Sequence, residues 1–263
     1  MSFRSIAIKA TGILLAGAVS ATAQAGAVDL SGWVAQGGTS AWTVEAGNNS
    51  VLQSYNGQPT TFFDPTALST HGTALNGKIQ VISSSDDDYI GFVLGYQSGE
   101  ITGSSTDFFL VDWKQQNQGI AQRGLAISHV TSASTVGDFW AHTGGVTEIA
   151  RGNTLFNTGW NDYQEYDFNI VFNAGLIEVK VNGIVELTVT PGDVAGLSSF
   201  SDGAFGFYNY SQAHVRYSAI EQANCTNTPS LPECQTSVPE APSVAFLIAG
   251  LLGAGILRKM RNA

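Results

Sequence analysis

The sequence predicts an all-β protein built as a two-sheet sandwich, and three observations support this fold class. Between the termini, short apolar runs are interrupted by Gly, Asn, Asp or Ser roughly every 8 to 15 residues. Several runs place their large apolar residues two positions apart, as from Tyr166 to Phe172 and from Phe92 to Tyr96. No long helical periodicity occurs between Gly26 and Thr236. A segment of this length is sufficient for one large β domain with its own hydrophobic core.

The charge distribution excludes nucleic acid as a partner. The whole chain has a formal net charge of −10, and the central segment is more acidic because five of the 11 basic residues lie near the termini. The central segment has no cluster of Lys or Arg that could neutralise phosphates. Such a surface is better suited to calcium or to an uncharged polymer.

The first 25 residues have the pattern of a secretory signal peptide. Arg4 and Lys9 form a positive segment, and Ile13 to Val19 form a short apolar segment. Small residues at alternate positions then offer a cleavage site after Ala25. We therefore expect export, with a mature chain that starts at Gly26.

The C-terminus has the order of a sorting signal. Val238-Pro239-Glu240-Ala241-Pro242 precedes an apolar run, Ser243 to Leu257, and then the cations Arg258, Lys259 and Arg261. The run spans about 22 Å as a helix, whereas a permanent membrane span needs roughly 20 residues. This order resembles the PEP-CTERM sorting signal of Gram-negative bacteria, which implies transient membrane anchoring and a sorting protease of the exosortase type. An ordinary tail anchor is the alternative.

The two cysteines, Cys225 and Cys234, are separated by eight residues that include two prolines. In an exported protein, an even pair at this spacing predicts a disulfide that closes a small loop. Zinc would need two more soft ligands, and the four histidines show no ligand spacing.

One hairpin can be predicted in detail around Asn182-Gly183. A two-residue turn at this dipeptide would place apolar residues opposite polar ones. Pairing Val179 with Val185 keeps one face apolar. This register predicts a three-residue loop, Val181 to Gly183, with Gly183 in the left-handed conformation.

An acidic run, Asp86-Asp87-Asp88, leads directly into an apolar strand. Adjacent carboxylates repel one another, and a loop tolerates them best when water or a cation screens them. Calcium prefers such hard oxygen ligands. A solvated turn before a strand is the alternative.

Several segments around and after this run carry a family resemblance. They are Ser85 to Gln97, Phe109 to Gln115, Gly124-Leu125, Trp140 with His142-Thr143, Gly159 to Asp162, Gly206-Phe207 and Ser211-Gln212. In this order and spacing they resemble the C-terminal lectin-like domain of the thrombospondins. The resemblance implies a concanavalin A-like jelly-roll sandwich whose acidic turns bind Ca2+. It makes Asp86, Asp87 and Asp88 candidate calcium ligands, with Asp162 as a further candidate.

The same fold hosts glycoside hydrolases, which require two carboxyl groups at a defined separation. Glu165 and Asp167 share one strand face but lack the further Glu of that pattern, and Asp162 has the wrong parity. We therefore expect no enzyme. Tryptophan rings can stack on sugars, and Trp140 beside His142 is the candidate contact for a ligand.

Four segments follow: a signal peptide (1–25), a lectin-like sandwich (26–222), a linker with a disulfide loop (223–237) and a sorting signal (238–263). The leading hypothesis is a calcium-binding adhesion module for extracellular glycan or matrix, located at the cell envelope or in the matrix. A purely structural matrix protein is the alternative, and a glycoside hydrolase is a weaker one.

Overall fold

The computed structural model describes residues 25–132 and 134–237, and these residues form two β-sheets that pack face to face. The strands are β1 (Gly26–Ala27), β2 (Val34–Gly37), β3 (Trp42–Val44), β4 (Val51–Gln53), β5 (Thr60–Phe63), β6 (Thr73–Val81), β7 (Tyr89–Tyr96), β8 (Phe108–Lys114), β9 (Gly124–Val130), β10 (Val146–Arg151), β11 (Glu165–Asn173), β12 (Leu176–Val181), β13 (Ile184–Val189), β14 (Ala204–Tyr210) and β15 (Val215–Asn224). One α-helix, α1 (Val136–Ala141), lies within the described residues, with short 3-10 turns at Leu30–Gly32, Glu100–Thr102, Pro191–Asp193 and Pro232–Cys234.

The first sheet has the strand order β13-β12-β11-β6-β15-β4-β3, with β1 paired to β15, and the second has the order β10-β9-β8-β7-β14-β5-β2. All of these pairs are antiparallel. The predicted all-β sandwich is confirmed.

The main core lies between the two sheets. In β11, the alternating residues from Tyr166 to Phe172 point inward, as the two-residue period predicts. Phe168 meets Phe92 of the opposite sheet with ring centroids 4.5 Å apart. Burial of these large apolar side chains is the main contribution that holds the sheets together.

A second apolar cluster covers the outer face of the second sheet. Helix α1 lies over this face, and a reciprocal capping box between Thr135 and Asp138 fixes its first turn. His142 ends the helix in the left-handed conformation, with a φ of 50°. The helix thereby places Trp140 and His142 above this face of the sheet.

The hairpin between β12 and β13 differs from the predicted one. Asn182-Gly183 forms a two-residue turn with positive φ at both positions, and Val179 pairs with Leu187 rather than Val185. The predicted register is wrong because a bulge at Glu186 restores the apolar face within the strand. The buried Glu186 carboxylate accepts hydrogen bonds from the backbone N–H groups of residues 154 and 155. The backbone carbonyl of Glu186 accepts a further hydrogen bond, from the N–H of Asn153 at 2.9 Å.

The predicted disulfide between Cys225 and Cys234 is present, with Cα atoms 5.3 Å apart. The loop that it closes packs on the first sheet. Beyond the loop, Ser237 donates a hydrogen bond from its backbone N–H to the buried carboxylate of Glu178 at 2.7 Å.

Both predicted targeting segments lie outside the described residues, except for Ala25 at the end of the predicted signal peptide. These are the signal peptide and the sorting signal with Val238, Pro239, Glu240, Arg258, Lys259 and Arg261. Between residues 25 and 237, leaving aside residue 133, no helix is long and apolar enough to cross a membrane.

Candidate metal centre and adjoining pockets

The acidic run forms the turn between β6 and β7. Asp86, Asp87 and Asp88 each offer a carboxylate oxygen, and these oxygens all lie within 4.8 Å of one another. Asp86 and Asp87 are partly exposed, whereas Asp88 is buried. The turn therefore presents a compact set of hard oxygen donors at the protein surface.

Neighbouring amide side chains hold the turn in place. Gln212 is fully buried, and its Oε1 accepts a hydrogen bond from the backbone N–H of Asp88 at 3.0 Å. Gln118 donates from Nε2 to Asp87 Oδ1 at 2.7 Å, and Asn56 donates to Asp86. These bonds come from three distant parts of the chain, so the whole domain defines the turn.

The positive charge that faces the turn is the ammonium of Lys114, at the end of β8. Lys114 is fully buried and forms an ion pair with Asp88. Three ionised carboxylates and one ammonium leave a surplus of two negative charges. Burial and the charge of Asp88 raise the pKa of Asp86 to about 6. The state in which all three carboxylates are ionised is therefore energetically unfavourable in this turn.

The donor set fits a calcium ion. Calcium binds six to eight oxygen ligands, which include carboxylates, backbone carbonyls and water. The surplus charge and the raised pKa of Asp86 are what a divalent cation would relieve. Asp162 is not a member of this compact group; its carboxylate accepts a hydrogen bond from Gln115 Nε2 at 3.0 Å.

Lys114 connects the acidic turn to the second predicted site. Its Nζ lies 4.4 Å from the ring centroid of Trp140 and 5.0 Å from that of Tyr89. A cation held over aromatic faces is attracted by the ring quadrupole. The ammonium therefore contacts both Asp88 and the Trp140 ring.

A small pocket of about 190 Å³ lies beside Trp140 and His142. The Trp140 ring is half-buried and packs edge-on against Tyr89 and Tyr210. The structure thus brings the predicted pair, Trp140 and His142, into one pocket that also has Arg151 in its wall.

His142 is held by ion pairs. Its Nε2 lies 2.9 Å from the Asp112 carboxylate, and its Nδ1 lies 3.3 Å from that of Glu148. Burial opposes protonation, but the charge of Asp112 and hydrogen bonds to both carboxylates outweigh it and raise the pKa of His142 to about 10. Arg151 in turn pairs with Glu148 at 2.7 Å. Both ring nitrogens of His142 are therefore engaged within the fold.

The two carboxylates considered for hydrolysis lie elsewhere. Glu165 and Asp167 are on the outer face of the first sheet, where both pair with Lys78. The side chain of Asp167 is 70% exposed. Neither residue lines a pocket described here.

Sequence reasoning missed three residues that control these sites: Lys114, Gln212 and Asp112. Each acts on a partner 26 to 124 residues away in the sequence. A buried polar residue within an otherwise apolar strand, as Asp112 and Lys114 are in β8, was the available signal.

The β-sandwich of this domain is similar in fold to two solved structures of bacterial proteins. The CBM66 carbohydrate-binding module from Bacillus subtilis superposes with a TM-score of 0.50, at 10% identity, over 73% of this chain and 94% of the module. A galectin-like protein from the same organism superposes with a TM-score of 0.51, at 12% identity, over 73% of this chain and 89% of its own. At these identities the likeness concerns the fold alone.

The sequence comparison then gives the family. The profile of the thrombospondin C-terminal region matches residues 38–227, so the chain belongs to this family. Human thrombospondin-3 is 29% identical over 205 residues, which are 71% of this chain and 20% of the relative. Chicken thrombospondin-2 is 28% identical over 200 residues, which are 68% of this chain and 16% of the relative. The chain thus corresponds to about a fifth of the length of these relatives.

Proposed function

We propose that this chain is an exported, calcium-supported lectin-like module that binds extracellular glycan or another matrix component. The observation that carries this proposal is the acidic turn, whose carboxylates exceed the facing ammonium by two charges. Membership in the thrombospondin C-terminal family supports a binding module rather than an enzyme.

Calcium would be held by Asp86, Asp87 and Asp88, with water completing its oxygen ligands. The ion would supply the positive charge that the turn lacks and would stabilise the loops around it. It would not act in a chemical step. A role for Asp162 as a ligand stays a prediction.

Two features support export. The first 25 residues have the signal-peptide pattern, and the Cys225–Cys234 disulfide suits an oxidising compartment. Transient anchoring through the terminal apolar run, and processing by an exosortase-type protease, complete the proposed route. The destination is the cell envelope or the extracellular matrix.

Ligand contact at Trp140 and His142 also stays a prediction. The pocket beside them supports it, because part of the Trp140 ring is accessible there. His142 has both nitrogens committed to carboxylates, so Trp140 is the better contact of the two.

The test is retention on a polysaccharide array, with calcium and then with excess chelator. We expect retention of the full chain in calcium and its loss with chelator. Asp86→Asn should lose retention, whereas Glu221→Gln, which removes one charge from an exposed strand position, should keep it. Self-association with no glycan retention would overturn the proposal in favour of a structural matrix protein.

A further inference from the structure

A second cavity, of about 320 Å³, opens beside the acidic turn. It runs between the end of β8 and the loop that precedes β11. Its walls carry amide and hydroxyl groups and one guanidinium, and most of these side chains are exposed. They belong to Gln115, Gln116, Arg123, Asn157, Thr158 and Asn161.

The far wall of this groove is rigidly held. Gly159 lies against the end of β8, where a Cβ atom would meet the carbonyl oxygen of Gln115 at 2.0 Å. The indole of Trp113 donates to the carbonyl of Thr158 at 2.8 Å, and that of Trp160 donates to the carbonyl of Trp113 at 3.1 Å. Two buried tryptophans therefore anchor the loop from below, so a ligand would meet a preorganised surface.

The chemistry of the groove suits a chain rich in hydroxyl groups. An amide side chain both donates and accepts hydrogen bonds, as a sugar hydroxyl does. Asn157 is oriented by the Nε of Arg123, which donates to its Oδ1 at 2.9 Å. Phe156 precedes Asn157 in the chain and is 60% exposed, with the guanidinium carbon of Arg151 6.0 Å from its ring centroid; an exposed ring of this kind can stack on a sugar.

The negative charge of the chain favours neutral over anionic hydroxyl-rich polymers as ligands. The groove has one cation, Arg123, whereas the chain as a whole has a net charge of −10. A polyanionic glycan would be repelled by that field, but a neutral chain would not.

The groove is also joined to the acidic turn. The backbone N–H groups of Gln115 and Gln116 both donate to the carbonyl of Asp87, at 3.2 and 3.4 Å. A cation that fixes the turn would therefore fix this wall of the groove as well.

We infer that this polar groove is a binding site for a neutral polysaccharide, with Gln116 and Asn157 contacting its hydroxyl groups and Phe156 stacking on one of its rings. The inference rests on the proposed function and gives it a site and a ligand class. The Trp140 pocket is the weaker site for such a chain, because it is smaller and has His142 and Arg151 in its wall.

The test is affinity electrophoresis of the full chain in native gels that contain calcium. The embedded probes are dextran, hydroxyethylcellulose and a soluble β-1,3-glucan, with polygalacturonate as the polyanionic probe. We expect at least one neutral polymer to retard the chain and polygalacturonate not to. The double variant Gln116→Ala/Asn157→Ala should weaken the apparent affinity about tenfold, the loss of one to two hydrogen bonds, and Phe156→Ala should weaken it too.

Two controls separate the possible outcomes. Gln58→Ala removes an exposed amide away from the groove and should bind as the wild type does. Trp140→Phe changes the other pocket and reports whether that pocket contributes to binding. Equal thermal midpoints for all variants exclude unfolding as the cause.

Neutral-polymer binding that is lost in Trp140→Phe but kept in the groove variants would overturn the groove and leave the proposed function standing. Retardation by polygalacturonate alone would overturn the ligand class. No retardation of the wild type by any polymer would overturn both the groove and the glycan-binding function.

Discussion

Two acidic clusters lie on the same side of the second sheet, and they differ in how their charges balance. Asp112 and Glu148 face two cations, His142 and Arg151, so that cluster is neutral. The turn of residues 86–88 faces one ammonium and retains a surplus of two negative charges. In the first cluster Asp112 is buried and Glu148 is partly exposed. In the second, Asp88 is buried, whereas Asp86 and Asp87 are partly exposed.

The difference is the one expected between a cluster that only stabilises the fold and a cluster that, as we propose, also binds a cation. A buried charge is tolerated when partners within the fold compensate it, which is the case for the neutral cluster. The turn lacks that compensation, and burial together with the charge of Asp88 raises the pKa of Asp86. In the proposed function, a cation from outside the chain supplies the missing positive charge.

The largest effect is expected from Asp112→Asn. The variant leaves the imidazolium of His142, which is 8% exposed, without its main counter-charge. Removing one partner of a buried pair costs roughly 3–5 kcal/mol of unfolding free energy. Denaturant unfolding should show this loss equally with and without calcium. Asp167→Asn, at an exposed position, is the control and should change stability by less than about 0.5 kcal/mol. A calcium-dependent loss in Asp112→Asn would contradict the separation of the two clusters.

A slightly smaller loss is expected from Lys114→Met. This variant leaves the buried Asp88 carboxylate without its cation and increases the surplus charge of the turn. We expect a loss of about 3 kcal/mol without calcium. Calcium should restore part of it, because the ion would take the place of the missing charge. Thermal unfolding with calcium and with chelator measures this, and an equal loss in both conditions would argue against a metal at the turn.

A third effect, smaller again, concerns Asp86→Asn. Its ordinary pKa is 3.8 and its folded pKa is about 6, so ionised Asp86 destabilises the calcium-free fold above pH 6. The variant should therefore be as stable as the wild type, or more stable, in chelator at pH 7. In calcium it should lose the stabilisation of about 2.7 kcal/mol that an ion at 100 times its Kd confers. If Asp86→Asn is less stable than the wild type in chelator, Asp86 stabilises the fold without a metal ion, which would contradict this prediction.

The last prediction concerns the pH dependence of the neutral cluster. The folded pKa of His142, about 10, lies above its ordinary value of 6.5. Its ion pairs therefore stabilise the fold fully below pH 6.5, and this contribution is lost as the pH rises through about 10. The stability difference between wild type and His142→Gln, measured by denaturant unfolding at pH 6.5, 8.5 and 10, should shrink towards zero. A constant difference would assign His142 a packing role alone.

The contrast between the clusters also shows what sequence could predict. The acidic turn was visible because its residues are adjacent in the chain, and the disulfide was visible because its cysteines are close together. Lys114, the partner of Asp88, comes from a strand 26 residues further along. Only the register of β7 and β8 brings the two together, and no local pattern contains that register.

The sandwich followed from the alternation of β11, where one face is buried throughout. At β-bulges, the two-residue period fails to predict which residues of a strand face the core. In β15 the core residues Val215 and Tyr217 are two positions apart, and a continued period of two would bury Ala219. Ala219 is instead exposed with a φ of 51°, and Ile220 takes the next place in the core. A single extra residue inverts the pattern that follows it, and the sequence alone does not reveal where a strand accepts one.

Calorimetric titration of the full chain with calcium at pH 7 tests directly whether the turn of residues 86–88 binds this ion. We expect saturable binding in the wild type and in Glu221→Gln. Binding should be lost in Asp86→Asn/Asp87→Asn, which leaves the Asp88–Lys114 pair intact. Binding that is unchanged in the double variant, or absent from the wild type, would contradict this expectation and leave the acidic run as a solvated turn.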